Sequence, residues 1–321
     1  MWILKQPGPC EFTRYDVDVP TSEELGDGDV LLEFLFGSIC GSDIPKYRGI
    51  MDPDNPYTGN PGVPLHEIVG RVALSRSSRF RTGDRVVGIV EESRGLSEYI
   101  VDPDKYLASV PESLTDREAV IMQPVATVLS SYSRVRSLAG KRVAVLGLGP
   151  LGVLFTHIAR SLGAAYVVGV DRIDRADIRE QFGMDETVTV ESRQWAQSLA
   201  DDERPDLVID AIGHREEIVA DAVTAARPGG EVLVYGLPED WYAFPMRAFF
   251  RKGLTMAAGA TQSWDTYLAA AGDYVVAHGD LRRGYITHAF PIAQVSEAFE
   301  LYATPARSRL KVGLTPDGAG A

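Results

Sequence analysis

The chain has 321 residues, of which 45% are hydrophobic, so it can bury a substantial core and is expected to form two domains. Its formal charge of -13 argues against binding nucleic acid or an anionic membrane, since either surface would require a basic patch. Apolar runs stay shorter than the roughly 18 residues of a membrane helix, and two cysteines support neither a disulfide framework nor a cysteine-rich metal site. A cytoplasmic protein is expected.

The first 110 or so residues contain short β-type runs separated by Gly, Pro and Asp, a pattern typical of an irregular β-domain. Its acidic turn, Glu91-Glu92-Ser93, is interpreted as solvated. If it lined a pocket instead, it would favour a hydroxylated or aminated ligand. The predicted strands are 29–36, 68–74, 84–90 and 97–101.

From about residue 142 the pattern changes to alternating strands and helices, which predicts an α/β fold with a six-stranded, doubly wound parallel sheet. The segment 262–321 is expected to rejoin the first domain, giving one domain of 1–125 plus 262–321 and a second of 126–261. The strand candidates of the sheet lie at Val143, Val167, Thr187, Leu207, Val232 and Leu254. The later predicted elements are a helix at 264–277, a strand at 286–290, a helix at 292–302 and a strand at 310–314.

The segment 141–171 reads as a strand, a glycine-rich turn, a helix and a second strand. The turn contains Gly147, Gly149 and Gly152 in the spacing G-x-G-x-x-G, with Pro150 and Leu151 between the last two glycines. This context predicts a dinucleotide site in which a pyrophosphate lies at the helix N-terminus. The alternative is a glycine-rich turn in an unrelated α/β domain.

An acid, Asp171, ends the second strand of this unit and is expected to accept hydrogen bonds from the adenosine ribose. Its charge would repel a 2′-phosphate, so the sequence predicts NAD rather than NADP as the cofactor. The neighbouring Arg172 weakens this preference and is itself a candidate cofactor contact.

Two further segments, 37–43 (GSICGSD) and 66–72 (HEIVGRV), precede the dinucleotide unit. In this order, and with GDRV at 83–86, Glu98-Tyr99 and Gln123-Pro124, the whole chain resembles the zinc-containing medium-chain dehydrogenases. The resemblance implies a GroES-like β-domain joined to a Rossmann domain, with the active site in the cleft between them.

The resemblance implies that Cys40 and His66 are ligands of a catalytic zinc, which prefers thiolate and imidazole and keeps one position open. It makes Asp43 the carboxylate that orients the histidine and Ser42 the hydroxyl that takes the substrate proton. Taken singly, each residue has a structural alternative: a lone Cys is usually a small buried hydrophobe, and a lone His is often a satisfied core residue.

The chain also departs from the family pattern. Only 88–96 separates the strands that flank the cysteine-rich lobe of many relatives, so one zinc per chain and no structural zinc are expected. Pro45 replaces the histidine that often relays the proton, and Leu65 stands where the family usually has Gly. Gln123 occupies the position of the third ligand, which is usually Cys or Glu.

The metal ligands are therefore predicted as Cys40 and His66 with Gln123, and with Glu67 entering when Gln123 or the substrate leaves. In the alternative interpretation, Gln123 only donates a hydrogen bond near the metal and Glu67 is a fixed structural carboxylate. The resemblance also implies cofactor contacts from Thr127, Ile212 and Gly213, and Tyr47 and Arg48 are candidate substrate contacts that point to the polyol and sugar branch.

The sequence thus predicts an NAD-dependent, zinc-dependent dehydrogenase that acts on a secondary hydroxyl of a polyol, sugar or cyclitol-like molecule. A homodimer or homotetramer is expected by analogy with the family. Two alternatives remain: a metal-free reductase of an activated double bond or quinone with the same fold, and a nucleotide-binding regulatory protein without turnover.

Overall fold

A computed structural model describes residues 1–51 and 56–318. The chain forms two compact units. The β unit comprises Met1–Ala126, Ser263–Thr304 and Arg309–Ala321, and the α/β unit comprises Thr127–Gln262 and Pro305–Ser308.

Strands dominate the first third of the described chain, and strands alternate with helices after it. The strands are β1 (Trp2–Lys5), β2 (Thr13–Asp16), β3 (Asp29–Ser38), β4 (Glu67–Ser75), β5 (Arg85–Ile89), β6 (Tyr99–Pro103), β7 (Leu107–Ser109), β8 (Arg142–Leu146), β9 (Tyr166–Asp171), β10 (Glu186–Thr189), β11 (Leu207–Asp210), β12 (Glu231–Val234), β13 (Thr255–Ala258), β14 (Ile286–Pro291) and β15 (Lys311–Thr315). The α-helices are α1 (Asp43–Tyr47), α2 (Asp116–Ala119), α3 (Met122–Tyr132), α4 (Pro150–Ser161), α5 (Ser192–Ser198), α6 (Glu216–Ala225), α7 (Met246–Lys252), α8 (Trp264–Ala277), α9 (Gly279–Gly284) and α10 (Val295–Ala303).

The β unit is organised around a 7-stranded sheet in the order β14-β15-β3-β4-β5-β7, with β6 paired to β3. Val30, Leu32 and Phe34 alternate along β3 and bury their side chains in the core of this unit. The C-terminal strand β15 lies in this sheet, where it pairs with β3. The strand pairs β3/β4 and β15/β3 bring remote parts of the sequence together at one end of the sheet.

The α/β unit contains a 6-stranded sheet in the order β10-β9-β8-β11-β12-β13, with every pair parallel. The strand order reverses at β8, so the carboxyl ends of β8 and β11 form the switch point at which such sheets bind ligands. The predicted fold class is therefore confirmed: an irregular β-domain plus a doubly wound parallel sheet.

Several details differ from the sequence prediction. The connection from β9 to β10 contains a 3-10 turn, Ala176–Ile178, in place of a full crossover helix. The predicted helix 292–302 begins as a 3-10 turn, Ile292–Gln294, and continues as α10. The short segment Pro305–Ser308 belongs to the α/β unit, where Arg307 pairs with Asp174 at 2.6 Å. Among the described residues, every helix is too short or too polar to cross a membrane.

Candidate metal and dinucleotide sites

Three side chains with metal-binding donor atoms converge in the β unit. Sγ of Cys40, a ring nitrogen of His66 and a carboxylate oxygen of Glu67 lie within 4.8 Å of one another. They meet because β3 and β4 are antiparallel, with Ser38 opposite Glu67, so the loop after β3 lies beside the start of β4. His66 and Glu67 are buried and Cys40 is half-buried, which leaves the cluster partly accessible.

A buried carboxylate fixes the histidine of this cluster. Asp43 Oδ1 lies 2.8 Å from Nδ1 of His66, and its Oδ2 accepts a hydrogen bond of 2.9 Å from the amide of Cys40. Burial would lower the pKa of His66, but the charge and hydrogen bond of Asp43 raise it well above its ordinary value. Burial likewise would raise the pKa of Asp43, and His66 holds it below its ordinary value. Because Nδ1 is engaged, Nε2 is the nitrogen left for a metal.

Both carboxylate oxygens of Glu67 accept hydrogen bonds from buried groups. Lys311 Nζ donates to Oε1 at 2.7 Å, and Ser38 Oγ donates a short hydrogen bond to Oε2. The side chains of Glu67 and Lys311 are each 1% exposed. Burial would lower the pKa of Lys311, but the charge of Glu67 raises it well above its ordinary value.

Sequence reasoning missed both partners of Glu67. Lys311 comes from β15 and is separated from Glu67 by 244 residues. The available signal was a lone lysine in the apolar stretch 310–314, since a lysine is almost never fully buried without a partner.

Backbone hydrogen bonds to the segment 90–95 hold the chain around His66. The amide of Leu65 donates a hydrogen bond of 2.8 Å to a carbonyl oxygen of this segment. The carbonyl oxygens of Leu65 and His66 accept hydrogen bonds of 2.8 and 2.9 Å from amides of the same segment. Leu65 is fully buried and packs against Gly37, where an added Cβ would lie 2.7 Å from the leucine side chain. Leu65, which is larger than the glycine usual in the family, therefore fits because Gly37 has no side chain.

The other predicted residues of the β unit have more varied environments. Ser42 is half-buried and precedes α1, and Gln123 is buried near the start of α3. Tyr47 is a core residue: its ring packs against those of Phe12 and Phe299, with centroids 5.7 and 5.0 Å away. Its substrate contact stays a prediction. The neighbouring Arg48 is exposed.

The glycine-rich turn of the α/β unit has the backbone that a dinucleotide turn requires. Gly147 has φ = +90°, which favours glycine. A Cβ at Gly152 would lie 1.8 Å from the carbonyl oxygen of Gly147, whereas a Cβ at Gly149 would meet no atom within 4 Å. The helix α4 starts with Pro150 and Leu151 and has no side-chain cap at its N-terminus. The open space at Gly149 and the uncapped helix together suit an anionic ligand.

Asp171 ends β9 beside this turn. Its carboxylate accepts hydrogen bonds from the amides of Leu148 at 2.6 Å and Ile173 at 2.8 Å. Arg172 is exposed, and its guanidinium lies 3.8 Å from Glu191. The carboxylate of Asp171 is thus oriented by backbone donors on both sides.

The end of β11 presents the other predicted cofactor residues. Asp210 is fully buried, and its Oδ1 accepts hydrogen bonds from the amides of Ile212 at 2.9 Å and Gly213 at 3.2 Å. Burial raises the pKa of Asp210. Ile212 is exposed beyond the strand. Thr127 Oγ1 accepts a hydrogen bond of 2.9 Å from the hydroxyl of Tyr235.

The chain is similar to known dehydrogenases. The chain matches the alcohol dehydrogenase GroES-like domain over residues 26–112 and the zinc-binding dehydrogenase family over residues 150–272. It is 31% identical to L-threonine 3-dehydrogenase of Bacillus licheniformis over 93% of this chain and 94% of that protein. It is 27% identical to sorbitol dehydrogenase of Bombyx mori over 90% of this chain and 92% of that protein.

Solved structures show the same fold. An alcohol dehydrogenase (rspB) from Escherichia coli CFT073, complexed with NADH, superposes with a TM-score of 0.82 at 23% identity over 98% of each chain. The alcohol dehydrogenase TADH from Thermus sp. ATN1 gives 0.81 at 23% identity over 98% of this chain and 100% of that one. As its motifs predict, the chain belongs to the zinc-containing medium-chain dehydrogenase family and is an oxidoreductase of its alcohol and polyol dehydrogenase branch.

Proposed function

We propose that the protein uses NAD and one zinc per chain to oxidise a secondary hydroxyl of a polyol, sugar or cyclitol-like substrate to a ketone, or catalyses the reverse reduction. The observation that carries the proposal is the convergence of Cys40, His66 and Glu67 within 4.8 Å, with Asp43 bound to the histidine. Relatives named sorbitol dehydrogenase and D-arabinitol dehydrogenase 1 support a polyol as the substrate class.

The donor set fits zinc. Thiolate, imidazole and carboxylate are its usual protein ligands, and a catalytic site takes three of them and leaves one position open. Cys40 and His66 would hold the metal, with Gln123 or Glu67 as the third ligand. Zinc at this place would polarise the substrate oxygen and lower the pKa of the hydroxyl. Because His66 carries a raised pKa, binding a metal must displace its proton.

The third ligand is the part of the donor set that departs from the family pattern, and we propose Gln123 with exchange to Glu67. Both oxygens of Glu67 already accept hydrogen bonds from Lys311 and Ser38, so Glu67 must share or release one to bind a metal. With Cys40 as the charged ligand and Gln123 neutral, the site keeps a net positive charge that favours deprotonation of the substrate hydroxyl.

Substitutions at these two positions test the exchange. Gln123→Glu should retain zinc and shift the pH dependence of oxidation upward, because a second anionic ligand weakens the charge of the metal. Glu67→Gln should weaken zinc retention or slow turnover. If Gln123→Ala leaves both the zinc content and the pH profile unchanged, Gln123 is not a ligand and the exchange does not occur.

Ser42 is proposed to take the proton of the substrate hydroxyl. Ser42 is half-buried and lies directly before α1. Since Pro45 replaces the histidine relay of relatives, the proton would pass to water or to the ribose hydroxyls of the cofactor. Ser42→Ala should then lower kcat much more than it raises KM, and Ser42→Thr should restore most of the rate.

One experiment separates this function from its alternatives. Protein purified without added zinc is analysed for metal and assayed for NADH formation over a panel of polyols, sugars and cyclitols, with Cys40→Ala as the matched variant. We expect one zinc per chain, loss of zinc and of activity in Cys40→Ala, and turnover of at least one polyol. Alcohol oxidation that is independent of zinc would contradict the role of the metal, and oxidation of NADH by a quinone or an activated double bond, with no turnover of the alcohols, would indicate a metal-free reductase. NADH binding without turnover on any substrate would indicate a regulatory protein.

A homodimer or homotetramer acting in the cytoplasm completes the proposal. The strand β13 ends the sheet of the α/β unit, and the same unit exposes Trp241 by 90% and Phe250 by 81%. Apolar surface of this kind favours burial against a second copy. The cytoplasm would keep the thiol of Cys40 reduced and available to a metal. Sedimentation measurements that compare the oligomeric state of Phe250→Asp with that of the unchanged protein test this part of the proposal.

A further inference from the structure

The β unit contains a cavity of about 710 Å³ beside the segment 90–95. It is lined by the N-terminal strand β1, by β6 and by the turn Glu91–Arg94, and the residues of the metal cluster do not contribute to it. This volume lies in the range of cavities that hold small organic ligands.

A buried carboxylate in the wall of this cavity is only half satisfied. Asp102 lies on β6 and is 0% exposed. Its Oδ1 accepts a hydrogen bond of 3.0 Å from the amide of Glu91, but its Oδ2 has no hydrogen-bond partner among the described residues. A buried, unpaired carboxylate oxygen is costly for the fold, so it calls for an explanation beyond packing.

The charged groups around Asp102 leave this part of the cavity negative. Arg94 lies 3.4 Å from Glu92, and Lys105 lies 2.9 Å from Glu91, so each cation already has a carboxylate partner. Five carboxylates stand against two basic side chains and the N-terminal ammonium group in the wall. These are Glu24, Asp29, Glu91, Glu92 and Asp102 against Arg94, Lys105 and Met1.

We propose that this cavity binds a small organic cation whose primary ammonium group donates a hydrogen bond to Oδ2 of Asp102. A metal ion fits less well. Among the described residues, the only group of three His, Cys, Asp or Glu side chains close enough together to hold a metal ion is that of Cys40, His66 and Glu67. An anion would be repelled by the surplus of carboxylates. A cationic N–H supplies both the donor that Oδ2 lacks and the charge that the wall lacks. The proposal is independent of the substrate oxidised at the metal cluster.

Calorimetric titration of the full-length, zinc-loaded protein with 1,4-diaminobutane tests this site. We expect saturable binding of one molecule per chain that persists at about 0.5 M salt, since a buried ion pair is screened weakly. Asp102→Asn keeps the acceptor for the amide of Glu91 and should weaken binding roughly 10- to 100-fold. Glu112→Gln removes the same charge from an exposed position outside the cavity and should leave binding unchanged.

Two measurements on the unchanged protein keep the test decisive if Asp102→Asn folds poorly. Burial raises the pKa of Asp102 to about 7, so the affinity for the diamine should increase between about pH 6 and pH 8 as the carboxylate ionises. The neutral N,N′-diacetyl derivative should not bind. Binding that vanishes at high salt, that is equal in Asp102→Asn, or that the diacetyl compound reproduces would overturn the proposal.

Discussion

The glycine-rich turn of the α/β unit and the donor cluster of the β unit are built in opposite ways. Almost every feature of the turn comes from the contiguous residues 147–152, where the absence of side chains sets the backbone. The cluster instead combines residues from the ends of β3 and β4 with Lys311 of β15, and paired charges hold it together. The turn is therefore sensitive to added atoms, and the cluster is sensitive to lost charges.

The largest effect is expected when the cluster loses its buried cation. Lys311→Met leaves the carboxylate of Glu67 buried without its ion pair, which should lower the free energy of unfolding by about 3–5 kcal/mol. Urea denaturation measures the loss of stability.

Two companion variants show whether charge pairing is the cause. Lys311→Arg should stay close to the unchanged protein, since it keeps the cation. The double variant Lys311→Met with Glu67→Gln should recover much of the lost stability, because no buried charge remains. Equal destabilisation in the single and double variants would mean that packing of the lysine stem, and not its charge, stabilises the cluster.

A pair of glycine substitutions sharpens the other side of the comparison. Gly152→Ala forces a Cβ to within 1.8 Å of a backbone oxygen, so it should destabilise the fold by about 3 kcal/mol or more. Gly149→Ala adds its methyl group to open space and should leave the melting temperature unchanged while weakening NADH binding roughly 10-fold or more. Thermal melting and NADH fluorescence titration distinguish the two. A stable Gly152→Ala with normal NADH affinity would contradict the steric account.

The third prediction uses Asp102 as a buried carboxylate that lacks the cation Glu67 has. Its pKa is raised from 3.8 to about 7, so the folded state binds the proton more tightly than the unfolded state. The resulting stability is fully present below about pH 4 and is lost as the pH rises through about 7. Asp102→Asn should therefore be more stable than the unchanged protein at pH 8 by roughly 4 kcal/mol, and this advantage should disappear near pH 4. A pH-independent difference in urea denaturation would exclude ionisation as the cause.

The smallest effect concerns cofactor choice at the turn. Asp171→Asn keeps an acceptor for the amide of Leu148 and removes the charge that would repel a 2′-phosphate. We expect the preference for NAD over NADP, measured as the ratio of kcat/KM values, to fall by roughly 10-fold. Arg172→Gln is the matched variant and should strengthen the preference. If Asp171→Asn does not improve the use of NADP, Asp171 does not select the cofactor.

The sequence predicts what depends on local pattern and misses what depends on long-range pairing. The strands around Gly147 and the role of that glycine follow from a contiguous motif, and the fold class follows from the alternation of strands and helices. The spacing of Cys40 and His66 carries no such information, so their assignment depends on the resemblance to a family. Ser38 and Lys311 are not predicted because nothing near them in the chain indicates Glu67. The packing of Tyr47 against Phe299 is also not predicted, because the two residues are remote in sequence.

The backbone hydrogen bonds between 90–95 and the residues at 65–66 have a consequence for how such enzymes can diversify. Since main-chain groups make these bonds, side chains at Glu91, Glu92 and Arg94 can be exchanged over evolutionary time without moving His66. Selection could therefore reshape the cavity wall and the ligands it accepts while the chemistry at the cluster is inherited intact.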